Sequence, residues 1–197
     1  IEKVDTQYDN YEPTKAARLI STFVIEDLSN WYVRLSRRRF WKGTYEADKI
    51  AAYQTLYTCL VSVAKLMAPI APFYADRLYQ DLDKTTAKEQ YASVHLAYFP
   101  DADKGFVDTV LEEKMQRAQH IVSLVLSIRK KEKIKVRQPL QRVLIPALDR
   151  NVRQAIKEVS DLIAAEVNVK TIEILDDASS ILVKEIKPNF KTLGPRF

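Results

Sequence analysis

With 197 residues, 47% of them hydrophobic and 29% charged, the chain is long enough for one domain with a sizeable core or two smaller ones, and too apolar for disorder to dominate. A single cysteine, Cys59, excludes an internal disulfide framework and favours a cytoplasmic setting, with the thiol as a small core residue. The net charge of +5 is uneven: residues 29–42 and 129–142 hold 12 basic side chains and one acidic one between them, leaving −6 elsewhere, a distribution that favours a polyanionic partner.

A helical period runs from about Glu12 to Trp41, with Pro13 suited to the first turn and Gly43 to the stop. The next helix begins near Thr44, and its apolar face is expected at Tyr53, Leu56, Tyr57, Leu60, Val63, Ala64 and Met67. Pro69 and Pro72 in "MAPIAPF" turn the chain, because each removes a helical donor and restricts its predecessor. A short helix over 73–82, a polar loop and an extended connector at "SVHLAYFP" follow. A further long helix is expected from about Phe106 to Lys131, burying Val107, Val110, Leu111, Met115, Ala118, Ile121, Val122, Val125 and Ile128.

Beyond residue 135 the period changes from 3.6 to 2. "RVLIPAL" reads as a strand, residues 150–165 as a helix, and "VKTIEIL" and "ILVKEIK" as two more strands. The predicted organisation is mainly α: a helical bundle over 1–134, then a small α/β unit of strand, helix, strand and strand over 135–197. Gly194 in the tail is expected to take a backbone conformation closed to other residues, with Phe190 packed. No apolar run reads as long enough to cross a bilayer, so no membrane partner is expected, and the missing initiator Met and the end at "GPRF" suggest a piece of a longer protein.

Catalytic and metal-binding patterns are lacking. The three glycines lie far apart, so neither a P-loop nor a dinucleotide-binding loop is available. His95 and His120 have no partner at metal spacing, and adjacent Glu112 and Glu113 diverge by about 100° on a helix. The sequence assigns no catalytic residue and no metal ligand.

The stretch "NWYVRLSRRRFWKG" is the sharpest feature. At about 100° per residue, Asn30, Arg34, Arg37 and Trp41 share a stripe about 60° wide, flanked by Arg38. Ile25, Leu28, Tyr32, Val33, Leu35 and Phe40 spread over the side facing a bundle, and Arg39 falls among them as a structural ion-pair or hydrogen-bond anchor. An indole stacks on bases, guanidinium groups bind phosphates or guanine edges, and an asparagine amide pairs with a base edge; Lys42 adds phosphate attraction. Residue types alone leave two readings standing: a surface for unstacked RNA bases, and a solvated or protein-facing helix, as in an adaptor anchored by Trp31, Trp41 and arginines.

"FVIEDLSNWYVRLSRRRFWKG", "DKIAAYQTLYTCLVSVAKLMAPIAPF", "IKVRQPL" and "NFKTLGPRF" together resemble the C-terminal, anticodon-binding region of class I isoleucyl-tRNA synthetases, over essentially the whole chain. The Asn and spaced arginines followed by an "APIAPF"-like turn are shared with valyl, leucyl and methionyl enzymes; "KVRQPL" and "NFKTLGPRF" favour the isoleucyl member. The resemblance implies a class I anticodon-binding helical bundle that holds the anticodon arm of isoleucine tRNA through Asn30, Arg34, Arg37, Arg38, Trp41 and Lys42. It further implies a cytoplasmic, monomeric isoleucine-tRNA ligase that uses ATP and magnesium, with catalytic and editing domains elsewhere in the same chain. Lys133, Lys135 and Arg137 are candidate phosphate contacts, although that segment reads more readily as a solvated helix end whose bases offset the negative terminus.

Overall fold

The computed structural model describes residues 1–147 and 149–175 and separates into two units, Ile1–Val107 and a second starting at Asp108. The change of period at residue 135 lies inside the second unit, where a long helix gives way to strand.

The first unit begins with helix α1 (Glu2–Asp9), an element the sequence reading did not include. It packs on α2 (Pro13–Thr22) through Val4, and the Tyr8 hydroxyl donates to the Leu66 carbonyl at 2.8 Å. The single helix expected from Glu12 to Trp41 is three pieces: α2, a π-helix (Phe23–Val33) and α3 (Arg37–Trp41), with a break at Ser36. Because π-helical hydrogen bonds reach one residue further than α-helical ones, each turn takes up more residues and a projection at 100° drifts. After α2, which buries Ala16 and Ile20, the buried positions are Leu28, Trp31, Ser36 and Phe40, whereas Ile25, expected in the core, is 49% exposed. Trp31, an anchor in the adaptor reading, is buried.

Helix α4 (Ala47–Met67) is the spine of this unit. Val63 and Leu66 pack with Val4, Ala16 and Ile20, while Val61 and Ala64 pack with Ala75, Tyr79 and Val94. Apolar neighbours on two sides explain why its buried residues do not form the single expected stripe, and why Tyr53 is left largely exposed. Against expectation, α4 is also long and apolar enough, by length and composition, to cross a membrane, with a mean hydropathy of 1.2. In the structure its residues form the contacts just described.

Helix α5 (Pro72–Thr86) starts with a proline in its first turn and outruns the expected end, stopping where Ala87 turns left-handed (φ 49°). The "SVHLAYFP" segment is not simply extended. The Asp76 carboxylate accepts from the Ser93 hydroxyl (2.6 Å) and the Val94 amide (3.0 Å), which winds a 3-10 turn over Val94–Leu96 and seats Val94 in the core.

The second unit opens with α6 (Thr109–Lys131), whose first turn is capped by the Asp108 side chain accepting from Leu111. Ala118, Val122 and Arg129 are buried; Val110, Leu111 and Ile128, all expected inside, are exposed, as is Val107 before them. Strand β1 (Leu140–Pro146) pairs in parallel with β2 (Val169–Leu175), from Leu140 opposite Val169 to Pro146 opposite Leu175. A parallel pair needs a crossover, supplied here by two helices rather than the one expected, α7 (Arg150–Glu158) and α8 (Ser160–Val167), which bury Ile156, Ile163 and Val167. The fold is mainly α with a small parallel sheet. The strand expected at "ILVKEIK", and Phe190 and Gly194, lie outside the described residues.

Candidate nucleic-acid interface

Asn30, Arg34, Arg37, Arg38, Trp41 and Lys42 are all solvent-exposed, the first two on the π-helix and just after it, the others on α3 and its end. Helical spacing of four residues brings Arg37 and Trp41 together: the guanidinium carbon lies 5.8 Å from the indole centroid. Trp41 remains 70% exposed, so the indole offers a flat surface to solvent with the Arg37 cation over its ring. Behind it, Phe40 is buried and meets the indole edge-on at 6.5 Å. The buried phenyl roots the short helix, and that is what lets the neighbouring indole project without unfolding it.

Arg39 has the structural role its position suggests, but near the surface rather than deep in the bundle. Its Nε and Nη2 donate to both Asp48 carboxylate oxygens (2.8 and 2.7 Å), and Nη2 also reaches the Asp48 carbonyl at 3.0 Å. Hydrogen bonding to Asp48 raises the Arg39 pKa above its ordinary value. This fork ties α3 to the first turn of α4.

Two residues absent from the sequence-derived site lie in the connection and the first turn of α4. Tyr45 is 76% exposed, its ring 6.5 Å from that of Tyr53 and inclined by 7°. The Lys49 ammonium sits 4.7 Å from the Tyr45 ring centroid and donates to the Gly43 carbonyl at 3.4 Å. Nothing in the sequence marked them, since both fall in the first turns of the helix expected from near Thr44, beyond the basic aromatic stretch.

The second basic segment is organised by Arg129, which the charge count had placed on the surface. It is 2% exposed. Its Nη1 donates to the carbonyls of Lys135 and Gln138, and its Nη2 to those of Val167 and Asn168, at 2.9 to 3.2 Å. The last two carbonyls stand at the negative end of α8, so four backbone dipoles disperse the buried charge. Asn168 adds a bond from its side-chain amide to the Val136 carbonyl. With the carbonyls of 135, 136 and 138 held inward, Lys135 and Arg137 are left exposed. Lys133 is exposed too, in the left-handed position that closes α6, with Ile134 donating back to Arg129.

Residues 1–145 match the family model of the anticodon-binding domain of tRNA ligases. The chain belongs to that family. Over all 197 residues this anticodon-binding domain is 57% identical to the isoleucine-tRNA ligases of Cytophaga hutchinsonii and Bacteroides fragilis, and 41% identical to that of Thermus thermophilus. It spans only about a fifth of the length of these curated relatives, 17 to 19%. Both basic surfaces, at 30–42 and 133–137, fall inside the stretch that matches the anticodon-binding family.

Proposed function

We propose that this domain holds the anticodon arm of isoleucine tRNA for a longer, ATP-dependent isoleucine-tRNA ligase. The observation that carries the reading is the exposed Trp41 with Arg37 against its ring, among Asn30, Arg34, Arg38 and Lys42, in a member of an anticodon-binding family. Trp41 stacks on an unpaired base, Asn30 meets a base edge, and Arg34, Arg37, Arg38 and Lys42 attract phosphates. Lys133, Lys135 and Arg137, carried on a loop whose backbone is tied down, supply further phosphate contacts. Identity to isoleucine-tRNA ligases over the whole of this chain supports isoleucine over valine, leucine or methionine as the identity of the tRNA.

Aminoacylation, with its ATP and magnesium, and editing belong to other parts of the longer protein, a cytoplasmic monomer in this reading. Among the described residues no group of three or more His, Cys, Asp or Glu side chains is placed to hold a metal. The test compares binding of the full-length protein to an isoleucine anticodon stem-loop and to the same stem-loop with a swapped anticodon, over a salt series. Tighter binding of the isoleucine anticodon, weakening as salt rises, is the expected result. Equal affinity for the two anticodons would overturn the proposal.

A further inference from the structure

A second aromatic surface lies beside the Trp41 face, and the observations identify what it fits. Trp41 touches Phe40, Phe40 lies 5.0 Å from Tyr53, and Tyr53 runs nearly parallel to Tyr45. Four rings thus form a continuous chain whose two ends, Trp41 and Tyr45, are strongly exposed while its root, Phe40, is buried. Tyr45 is not a loose side chain. The Lys49 ammonium lies against its ring and Tyr53 lies parallel to it, and the Tyr53 hydroxyl donates to the Phe40 carbonyl at 3.2 Å.

Lys49 also carries the charge argument. Only 9% exposed, it has a carbonyl and an aromatic ring as its contacts, and among the described residues no carboxylate pairs with it. With its stem buried and its ammonium against the ring, Lys49 places a positive charge at the Tyr45 ring, while the nearest free carboxylate in sequence, Glu46, is turned to the Thr44 hydroxyl; that charge favours an anionic partner. A flat, exposed ring in a positive field suits a nucleotide, whose base stacks while its phosphate is attracted. Tyr53 also lines a groove of about 530 Å³ with Tyr57, Thr58, Lys88 and Glu89, whose carboxylate is neutralised by Lys65 at 3.0 Å, and the groove leaves room for an adjacent splayed nucleotide.

We propose that Tyr45, held in place by Lys49 and Tyr53, is a second base-stacking platform, taking a different unpaired nucleotide of the RNA whose loop engages Trp41. This rests on the anticodon-arm reading above and extends it to a second nucleotide. The experiment uses the full-length protein and an isoleucine anticodon stem-loop carrying 2-aminopurine at each loop position in turn. Tyr45→Leu should weaken binding by about 5- to 150-fold. It should also restore fluorescence at a loop position other than the one released by Trp41→Ala. Tyr45→Phe, which keeps the ring, should bind and quench like the wild type. A thermal midpoint for Tyr45→Leu equal to the wild type excludes misfolding as the cause, as expected for so exposed a side chain. If the wild type binds the stem-loop and Tyr45→Leu binds and quenches identically, the platform is wrong while the anticodon reading stands. If the wild type shows no salt-dependent binding of the stem-loop, the anticodon reading itself falls.

Discussion

Single residues in this protein owe their roles to what lies behind them. Trp41 projects because Phe40 is buried beside it, so Trp41→Ala should leave the thermal midpoint unchanged while weakening tRNA binding by about 1–3 kcal/mol, the usual worth of one base stacked on an aromatic. Isothermal titration with isoleucine tRNA, beside a thermal melt, measures both; an unchanged dissociation constant would remove Trp41 from the interface. Asp76 is a structural counterpart. The Ser93 hydroxyl bond, helped by the Val94 amide, holds its carboxyl below the ordinary carboxylate value. A lowered folded-state pKa contributes stability at neutral pH that is lost as pH falls through that value. Asp76→Ala should therefore lower the melting midpoint at pH 7, and its gap from the wild type should narrow on acidification; a constant gap would show that the carboxylate charge is not responsible. The exposure of Asn30, Arg34, Arg37 and Trp41 was legible from helical spacing, as was the structural character of Arg39. Tyr45 and Lys49 were not, because only the folded turn places an ammonium against that ring.

Elements were legible where one face meets one partner, and misread where several partners compete. The strands at 140–146 and 169–175 are marked by their β-branched and aliphatic residues, whereas the π-helix carries no composition that distinguishes it from an α-helix, and its wider turn shifted Ile25 out of the core. Helix α6 was read as apolar along its length, yet the buried group nearest its C-terminus is a guanidinium. Arg129 joins that end of α6 to the loop 135–138 and to the end of α8, so Arg129→Met should strand four carbonyls. Each unsatisfied buried polar group costs about 1–3 kcal/mol, and partial rehydration of the loop carbonyls reduces the total to about 3 kcal/mol. Urea unfolding of the protein checks this, with loss of amide protection at Ile134 and Leu140 as the local signature. Stability equal to the wild type would mean that the loop holds its shape without the clamp.

At the scale of the whole molecule, charge and fold are partitioned differently from the way the chain is written. Two basic stretches stand out from an otherwise acidic chain, but once Arg129 is counted as buried, the second surface rests on lysines and arginines around it, Lys133, Lys135 and Arg137 among them. If those three meet phosphates, replacing all three with alanine should reduce the slope of log affinity against log salt by about 2–3, without altering anticodon preference. A filter-binding salt series with full-length protein measures the slope, and a value equal to the wild type would remove this surface from the interface.

The mainly helical class, the strands at 140–146 and 169–175 and the exposure of the basic aromatic face at 30–42 followed from the sequence by itself, because hydrophobic period and charge are local properties of the chain. Tertiary structure alone decided which apolar residues of α4 and α6 are buried, that Arg129 is internal, and that Tyr45 is linked to Trp41 through Tyr53 and Phe40. Burial depends on how many neighbours surround an element, and a hydrogen bond across 38 residues, such as that from Arg129 to Val167, leaves no trace in local spacing.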